Sequence, residues 1–506
     1  MPATSLHAGY RYDDYLFCRR QDRQIQGAIL LGANQFLAVE QQHRLFPGVF
    51  KPQFWHRAAG AILSGSQYNG IVLPGSGYPA SAAGRAYGAS VPGTSALFHN
   101  LPLSLVKSYK NAFAPRLGVA YNVANKTVIR AGGGVFHQRQ MANQNSLFTN
   151  PPNQMVVTVN NGSIDNPGSS SLNYPLDFRA AALNFKYPTA YSYSLSVQHE
   201  LPRAMVLDVA YVGKTAVNQE RVNGLNAAAP GTVQAHPNQS ISAFRPYLGL
   251  GNINWTTHDG RTSYNALQVT LDKRLTKGLG VGMAYTFSKN LSNLMNQLGT
   301  QQAYNPQGFV KGPDELDRTH VINVNFIYDL PFWQNGKGTA QKLVGGWHLS
   351  GVFVARSGAP LSVTTTVDNA GVGPGLGPQP WNLVGDPTVS GSRGVGLDWF
   401  NPAVFTKPNP GTFGNAGLGI IKGPGYWNLD LAPFKDFRVS ERVTAQFRWE
   451  VYDAPNYAFL ANPGTDPTST ATFGIITSKG GTGVAGSSSA ASASQRDMQI
   501  ALKFRF

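Results

Sequence analysis

From residue 113 onward one local pattern repeats: a large apolar side chain at every second position, with a small or polar one between. The clearest instance closes the chain. Met498, Ile500, Leu502, Phe504 and Phe506 are large and apolar, while Gln499, Lys503 and Arg505 are polar and Ala501 is small. A strand sends alternate side chains to opposite faces, so this segment has one greasy face and one wet face. In 191–200, Tyr191, Tyr193, Leu195 and Val197 alternate with Ser192, Ser194, Ser196 and Gln198. In 204–213, Leu207, Val209 and Tyr211 alternate with Asp208 and Ala210. In 265–275, Leu267, Val269 and Leu271 oppose Gln268, Thr270 and Asp272. Segments 279–288 and 443–451 repeat the arrangement, with Tyr285, Phe287, Phe447 and Trp449 on their apolar sides. Period two over such lengths predicts strands. Fainter versions fill 115–123, 127–137, 318–329, 346–357 and 426–435, giving about eleven strands after residue 112.

The links between these segments carry as much information. They are short between 123 and 127, 200 and 204, 275 and 279, and 435 and 441. They are long between 137 and 190, 213 and 263, 288 and 318, 357 and 426, and 452 and 496. The link at 330–345 is intermediate and falls where a short one is due. Alternation of this kind is the signature of an outer-membrane barrel, with short periplasmic turns and long extracellular loops. It predicts an all-β fold, an antiparallel transmembrane β-barrel spanning 113–506, whose last strand runs inward to a periplasmic terminus. Residues 1–112 read as an irregular, loop-rich lead-in in which 24–39 is a candidate further strand.

The charges fit that reading. Arg116, Arg130, Asp208, Asp272, Asp430, Arg448 and Glu450 share parity with the small or polar face of their strands, Arg130 least clearly. A Lys or Arg facing lipid at mid-membrane costs roughly 2–4 kcal/mol, so the charged face is expected to line the lumen. Tyr211, Tyr285, Phe287, Trp347, Trp427 and Trp449 suit interfacial girdles, or the core of a soluble protein.

Composition narrows the classes. Charged residues make up 13% of the 506, against about 25% in an ordinary domain. With 56 Gly, 27 Phe, 21 Tyr and 8 Trp, the chain is not of disordered type. The net charge of +16 reflects only 25 acids against 41 bases. The bases are scattered, which argues against a nucleic-acid partner and suits a surface meeting anionic lipid. Cys18 is the single cysteine, so no intrachain disulfide is possible. No run of 18 apolar residues predicts a membrane helix, and Met1–His7 lacks the basic and apolar regions of a secretory signal.

No reaction chemistry emerges. Gly481 to Gly486 match a dinucleotide-binding glycine spacing, but no strand precedes them and no helix follows. Asp314, Glu315 and Asp317 cluster before His320, where acids commonly shape turns. No histidine pair has zinc-ligand spacing on one element, and no nucleophile or phosphate-loop motif is present. The chain is read as no enzyme and as carrying no cofactor. The loops are rich in Gly, Pro, Ser and Asn, as in 366–380 and 479–494, the latter near low complexity.

Several longer phrases resemble one family. Asn111 to Tyr121 (NAFAPRLGVAY) is followed by Lys126 to Phe136 (KTVIRAGGGVF). Ser194 to Pro202 (SLSVQHELP) leads to Asp208 to Gly213 (DVAYVG). Tyr264 to Leu271 (YNALQVTL), Ala284 to Lys289 (AYTFSK), Asp317 to His320 (DRTH), Tyr328 to Phe332 (YDLPF) and Gly345 to Gly351 (GGWHLSG) complete the series. Together, over roughly residues 45 to 506, they resemble Oar-like TonB-dependent receptors of the Acidobacteria type. That resemblance implies a 22-stranded barrel around a plug, energised by TonB, preceded by a signal peptide and a carboxypeptidase-regulatory-like domain. None of those preceding parts is readable upstream of residue 45, so the chain resembles the later, C-terminal portion of such a barrel, about 11–16 of the strands.

The expected function is therefore an outer-membrane receptor barrel for uptake of a small or oligomeric ligand. Its implied partners are outer-membrane lipid, the barrel assembly machinery reading Met498, Ile500, Leu502, Phe504 and Phe506, and the TonB complex only where a plug accompanies the barrel. Trp255, Tyr304 and Trp381 are candidate ligand contacts in the loops. Two alternatives stand beside it: an adhesive or structural surface barrel without transport, and a soluble secreted β-protein.

Overall fold

The computed structural model describes residues 5–12, 57–58, 61–62, 73–82, 94–101, 110, 112–138, 177–181, 186–246, 250–294, 300–302, 311–332, 344–479 except 376, 392 and 458, and 496–506. The candidate strand 24–39, Cys18, Tyr304 and the glycine-rich 480–495 lie outside the described residues.

One sheet of fifteen strands organises the chain. In chain order they are β1 (Ser5–Tyr12), β2 (Phe113–Ala124), β3 (Thr127–His137), β4 (Phe178–Ala181), β5 (Thr189–Leu201), β6 (Met205–Gly224), β7 (Ile253–Thr276) and β8 (Leu279–Ser292). Then follow β9 (Thr300–Gln302), β10 (Gly312–Pro313), β11 (His320–Asp329), β12 (Trp347–Arg356), β13 (Tyr426–Arg438), β14 (Thr444–Tyr452) and β15 (Asp497–Arg505). The continuous path is β1-β2-β3-β5-β6-β7-β8-β11-β12-β13-β14-β15, each strand antiparallel to its neighbours. All eleven predicted strands are present, and β1 adds another at the β2 edge. Among the described residues no pairing joins β1 to β15, so the sheet is an open arc.

The short links are tight turns. Lys277 and Gly278 have φ of 51° and 77°, the left-handed pair whose twist matches flanking strands. Arg203 and Ala204 adopt similar values without being glycine, φ 64° and 58°. Two strand glycines serve a different purpose. The Tyr193 ring lies across Gly213, where an added Cβ would sit 2.2 Å from Cε2, and Phe326 covers Gly351 at 2.6 Å. In each pair the aromatic fills the space its cross-strand neighbour leaves empty.

The strands β6 and β7 correct the expectation. The alternation predicts 204–213 and 265–275, but the hairpin continues to Gly224 and begins at Ile253, giving strands of 20 and 24 residues. About 9–11 residues suffice to cross a bilayer. Register shifts between Ala216 and Gln219 and between Gln219 and Arg221 explain the miss. A one-residue slip sends the following side chains to the other face, so the period-two signal breaks while the pairing continues. Beyond the slips, β9 pairs in parallel with β6 and β4 pairs in parallel with β7. These loop segments cover the outer end of each edge of the extension, over Val222–Gly224 and Ile253–Thr256.

The packed core lies in the loops rather than between sheet layers. The largest fully buried side chains are Phe178, Phe400, Ile253, Ile476, Val363 and Val372. Val363, Phe400, Phe405, Ala416, Ile421 and Phe473 form one cluster, with Leu361, Trp381, Leu383 and Trp399 packed against it. It draws on both the 357–425 and the 453–496 connections, so these long loops form a folded cap. One helical turn, Thr232–Ala235, belongs to the same end. No described helix is long and apolar enough to cross a membrane.

Candidate functional site

Register decides which side chains share a face. Arg116 pairs with Gly134, Arg130 with Ala120 and Ser196, and Asp208 with Gln198 and Thr270. Asp272 pairs with Gly282, Gly282 with Asn325, Asn325 with Val352 and Val352 with Asp430. Phe434 pairs with Arg448, and Glu450 with Gln499. Because opposed residues point the same way, Arg116, Arg130, Asp208, Asp272, Asp430, Arg448 and Glu450 all lie on one face. Arg130, ambiguous by local parity, is fixed there by its two neighbours.

These charges engage one another. Arg130 Nη1 donates to Gln198 Oε1 at 2.5 Å and lies 3.8 Å from Asp208 Oδ2. Arg448 Nε pairs with Glu450 Oε1 at 2.6 Å, and Glu450 Oε2 accepts from Tyr452 at 2.9 Å and from Gln499. Asp430 Oδ1 accepts from Asn428 Nδ2 and from the Asp453 backbone, both at 2.9 Å. A cavity of about 350 Å³ opens here, lined by Asn325, Ser350, Asp430, Arg448, Glu450 and Tyr452. Arg116 stacks over Phe136, 4.4 Å from the ring centroid. Asp272 flanks Gly282 together with Asn325.

The opposite face is apolar and open. Met498, Ile500, Leu502 and Phe504 pair with Val451, Trp449, Phe447 and Ala445 and lie on it. Ile500 is 70% exposed and Phe506, just past the strand, 95%. Leu117, Tyr193, Leu195, Tyr211, Leu267 and Phe287 are exposed on the same face. Each would lose on the order of 1 kcal/mol if left in water, so a continuous apolar face of this extent requires an apolar medium.

Past the slips, the hairpin carries its own polar group. Asn223 Nδ2 donates to Thr257 Oγ1 at 3.0 Å, Arg221 Nε donates to Asp259 Oδ1 at 3.1 Å, and Trp255 pairs with Asn223. Trp255, expected in a loop, is thus part of β7. Trp381, expected as a loop contact, packs against the cap cluster instead. Burial lowers the pKa of the His258 imidazole, opposed by Asp259 and by a hydrogen bond that the imidazole donates to the Asn218 backbone.

A buried hub, invisible in the sequence pattern, joins the loops. Arg245 Nη1 donates to the Asn226 carbonyl at 3.1 Å and to Asn252 Oδ1 at 2.9 Å. The Asn252 backbone N–H donates to Asp177 Oδ1, and its amide donates to the Pro374 carbonyl. Burial lowers the pKa of the Arg245 guanidinium, while Asp177 and Asp368 raise it. Asp314 and Asp317 act as the turn reading expects. Asp314 Oδ1 accepts from the Leu316 backbone, and buried Asp317 accepts from Lys289 Nζ at 2.9 Å and the Asn290 backbone at 2.5 Å. Among the described residues no three His, Cys, Asp or Glu side chains converge on a metal position.

Comparison with solved structures finds low-level similarity. The outer membrane transporter YddB from Escherichia coli is 11% identical with a TM-score of 0.41, over 78% of this chain and 40% of that one. The FrpB iron transporter from Neisseria meningitidis is 9% identical with a TM-score of 0.38, over 78% and 39%. BauA, the ferric preacinetobactin receptor from Acinetobacter baumannii, is 10% identical with a TM-score of 0.37, over 78% and 36%. The chain spans well under half the length of these structures. No curated protein matches it. Residues 2–499 match the outer membrane beta barrel domain. Matched over nearly its whole length, the chain belongs to the outer membrane β-barrel domain family, and its place is the outer membrane of a Gram-negative bacterium.

Proposed function

We propose that this chain is the C-terminal barrel portion of a ligand-uptake receptor of the TonB-dependent, Oar-like type, with the charged face toward the lumen and the folded cap outside. The observation that carries the reading is the file of charged side chains on one face, Arg116 through Glu450, ending at a mouth built from packed long loops. A ligand arriving from outside would meet the cap and the hairpin extension, then a polar wall. The apolar terminal strand, Met498 to Phe506, serves assembly and lipid contact. Energised transport needs a plug and contact with TonB.

The test uses the intact gene expressed in a Gram-negative host with and without an active TonB complex. Labelled ferric citrate, a maltooligosaccharide and a tripeptide are offered to cells, and accumulation is measured. TonB-dependent accumulation of one class supports the reading. A folded, surface-reached barrel with no accumulation of any class favours the adhesive alternative. That second reading has its own observation: Val384, Val395 and Leu397 leave apolar surface exposed on the cap, the kind of patch that marks a protein contact.

A further inference from the structure

Midway along β11 and β12, one register row crosses the charged face from β7 to β13. It runs Asp272, Gly282, Asn325, Val352, Asp430, each paired with the next. Neighbouring strands lie about 4.8 Å apart, so the four steps make the row roughly 19 Å long. Two hollows open along it and meet at Asn325. One, of about 420 Å³, is lined by Asp272, Arg274, Gly280, Gly282 and Asn325. The other, of about 350 Å³, carries Asn325, Ser350, Asp430, Arg448 and Glu450. The sequence builds both. A Cβ on Gly282 would run into Asn325 Oδ1 and stand 3.4 Å from Asp272 Oδ1, so the bare glycine lets two acceptor oxygens face one point. In the second hollow the pairing of β13 with β14 skips Ala432 and Pro433, because proline brings no N–H to a ladder.

The polar groups of the row are uncommitted. Among the described residues no hydrogen bond or ion pair engages the side chains of Asp272, Arg274 or Asn325. Asp430 Oδ1 accepts from Asn428 and the Asp453 backbone, and Oδ2 stays open. Each hollow holds both signs of charge: Asp272 with Arg274 in one, and Asp430 with the Arg448–Glu450 pair, 2.6 Å apart, in the other. A ligand charged at every unit, of either sign, would meet a like charge in both. Hydroxyl groups donate and accept, so they satisfy carboxylate, guanidinium and amide alike. Between Asn325 and Asp430 stands Val352, 46% exposed on the charged face, an apolar seat for the C–H side of a sugar ring. Each hollow lies at the lower end of the range of roughly 300–1,000 Å³ usual for small-molecule sites, so together they suit a chain of small units over one bulky body.

We propose that the two hollows bind a short, neutral oligosaccharide lying along this row, with Asn325 bonding to hydroxyls in both. The proposal names the ligand class of the receptor reading and rests on it for the route of approach, since the row is part of the wall that an arriving ligand passes.

The test is calorimetric titration of the full chain, folded in micelles of a detergent without sugar head groups. The probes are the maltose and cellobiose series from the disaccharide to the pentasaccharide, with spermidine as a cationic chain. One oligosaccharide series is expected to bind, with affinity that rises with length. Asp272→Ala and Asp430→Ala, at opposite ends of the row, should each weaken the longer chains about three- to tenfold, the worth of one hydrogen bond, and Asn325→Ala should weaken every length. Raising the salt to about 0.5 M should change the affinity less than twofold, because a neutral ligand displaces no counter-ions. Heat-modifiable migration on gels confirms that each variant remains folded. Binding of neither series, binding of spermidine in their place, or binding unchanged in the folded variants overturns the proposal. Oligosaccharide binding without cellular uptake counts against transport and leaves the site standing. Uptake of ferric citrate beside failed titrations keeps the receptor reading and removes the site.

Discussion

Phe473 holds the cap together, and its truncation is the sharpest test of whether the long loops form a folded body. Its ring meets Phe400 edge-on at 5.3 Å between centroids, Phe405 at 5.8 Å and Trp381 at 6.5 Å, and the residue is 8% exposed. Removing a buried aromatic ring costs roughly 3–5 kcal/mol when surrounding groups cannot collapse into the space. Here the surroundings come from the 357–425 connection and Phe473 from the one after β14, and the two are pinned together by backbone bonds such as Trp399 N–H to the Gly474 carbonyl at 2.7 Å. The upper part of that range is therefore expected. Amide exchange by local opening scales with the free energy of opening, so Phe473→Ala should speed exchange in 361–365, 399–406 and 416–421 by roughly 1,000- to 5,000-fold. Exchange in β5 to β8 should stay unchanged, because no cluster residue lies on those strands. Phe473→Leu keeps most of the buried volume and should cost below about 1.5 kcal/mol. The assay is hydrogen–deuterium exchange of the folded protein in micelles, read peptide by peptide. Cap exchange that rises less than threefold would refute the idea of a packed cap. Equal loss of protection in the strands would refute its independence from the sheet.

Other expectations follow from single contacts. Gly213→Ala should displace the Tyr193 ring and lower the urea midpoint, while Gly213→Ala with Tyr193→Ala should cost less than the two changes summed; additive costs would show that the ring does not rest on the glycine. Asp317→Asn keeps the acceptor for Asn290 and loses the pair with Lys289, so it should cost less than Asp317→Ala, which leaves a backbone donor unsatisfied at about 1–3 kcal/mol; urea unfolding of both variants ranks them. For His258 the folded pKa lies below its ordinary 6.5, so the unfolded state binds the proton first. Its contribution is fully present above pH 6.5 and is lost as pH falls below that value toward the folded pKa. Protection in 218–224 and 253–260, corrected for the intrinsic exchange rate at each pH, should therefore fall at pH 5.5 relative to 7.5, an effect His258→Gln removes. Deleting Phe506 or changing Phe504→Ser should reduce the heat-modifiable, membrane-inserted fraction in cells, with refolding in micelles little affected; normal insertion in cells would remove the assembly role from this strand.

Period two alone determined most of the sheet. A strand with Leu195, Val197 and Tyr193 on one side and serines on the other has a single stable placement, one face in an apolar medium and one in a polar one. Register then follows from tight turns such as Lys277-Gly278, which are local, so eleven strands and the common face of six of the seven charges are legible in the residue pattern by itself, while Arg130 is placed by its pairing with Ala120 and Ser196. Three features were decided only in three dimensions. The extension of β6 and β7 past Ala216 follows two register slips, which cancel the very alternation by which a strand is read. The cap depends on contacts such as Phe400 with Phe473, between residues remote in sequence and set among glycines and prolines with no period. Arg318 before β11, Arg356 at the end of β12 and Lys422 before β13 come together at the loop end of the sheet and carry no mutual spacing. Local pattern specifies a strand because its own side chains choose the faces. A site assembled by loops exists only where the chain's long-range pairing carries distant ends to one place.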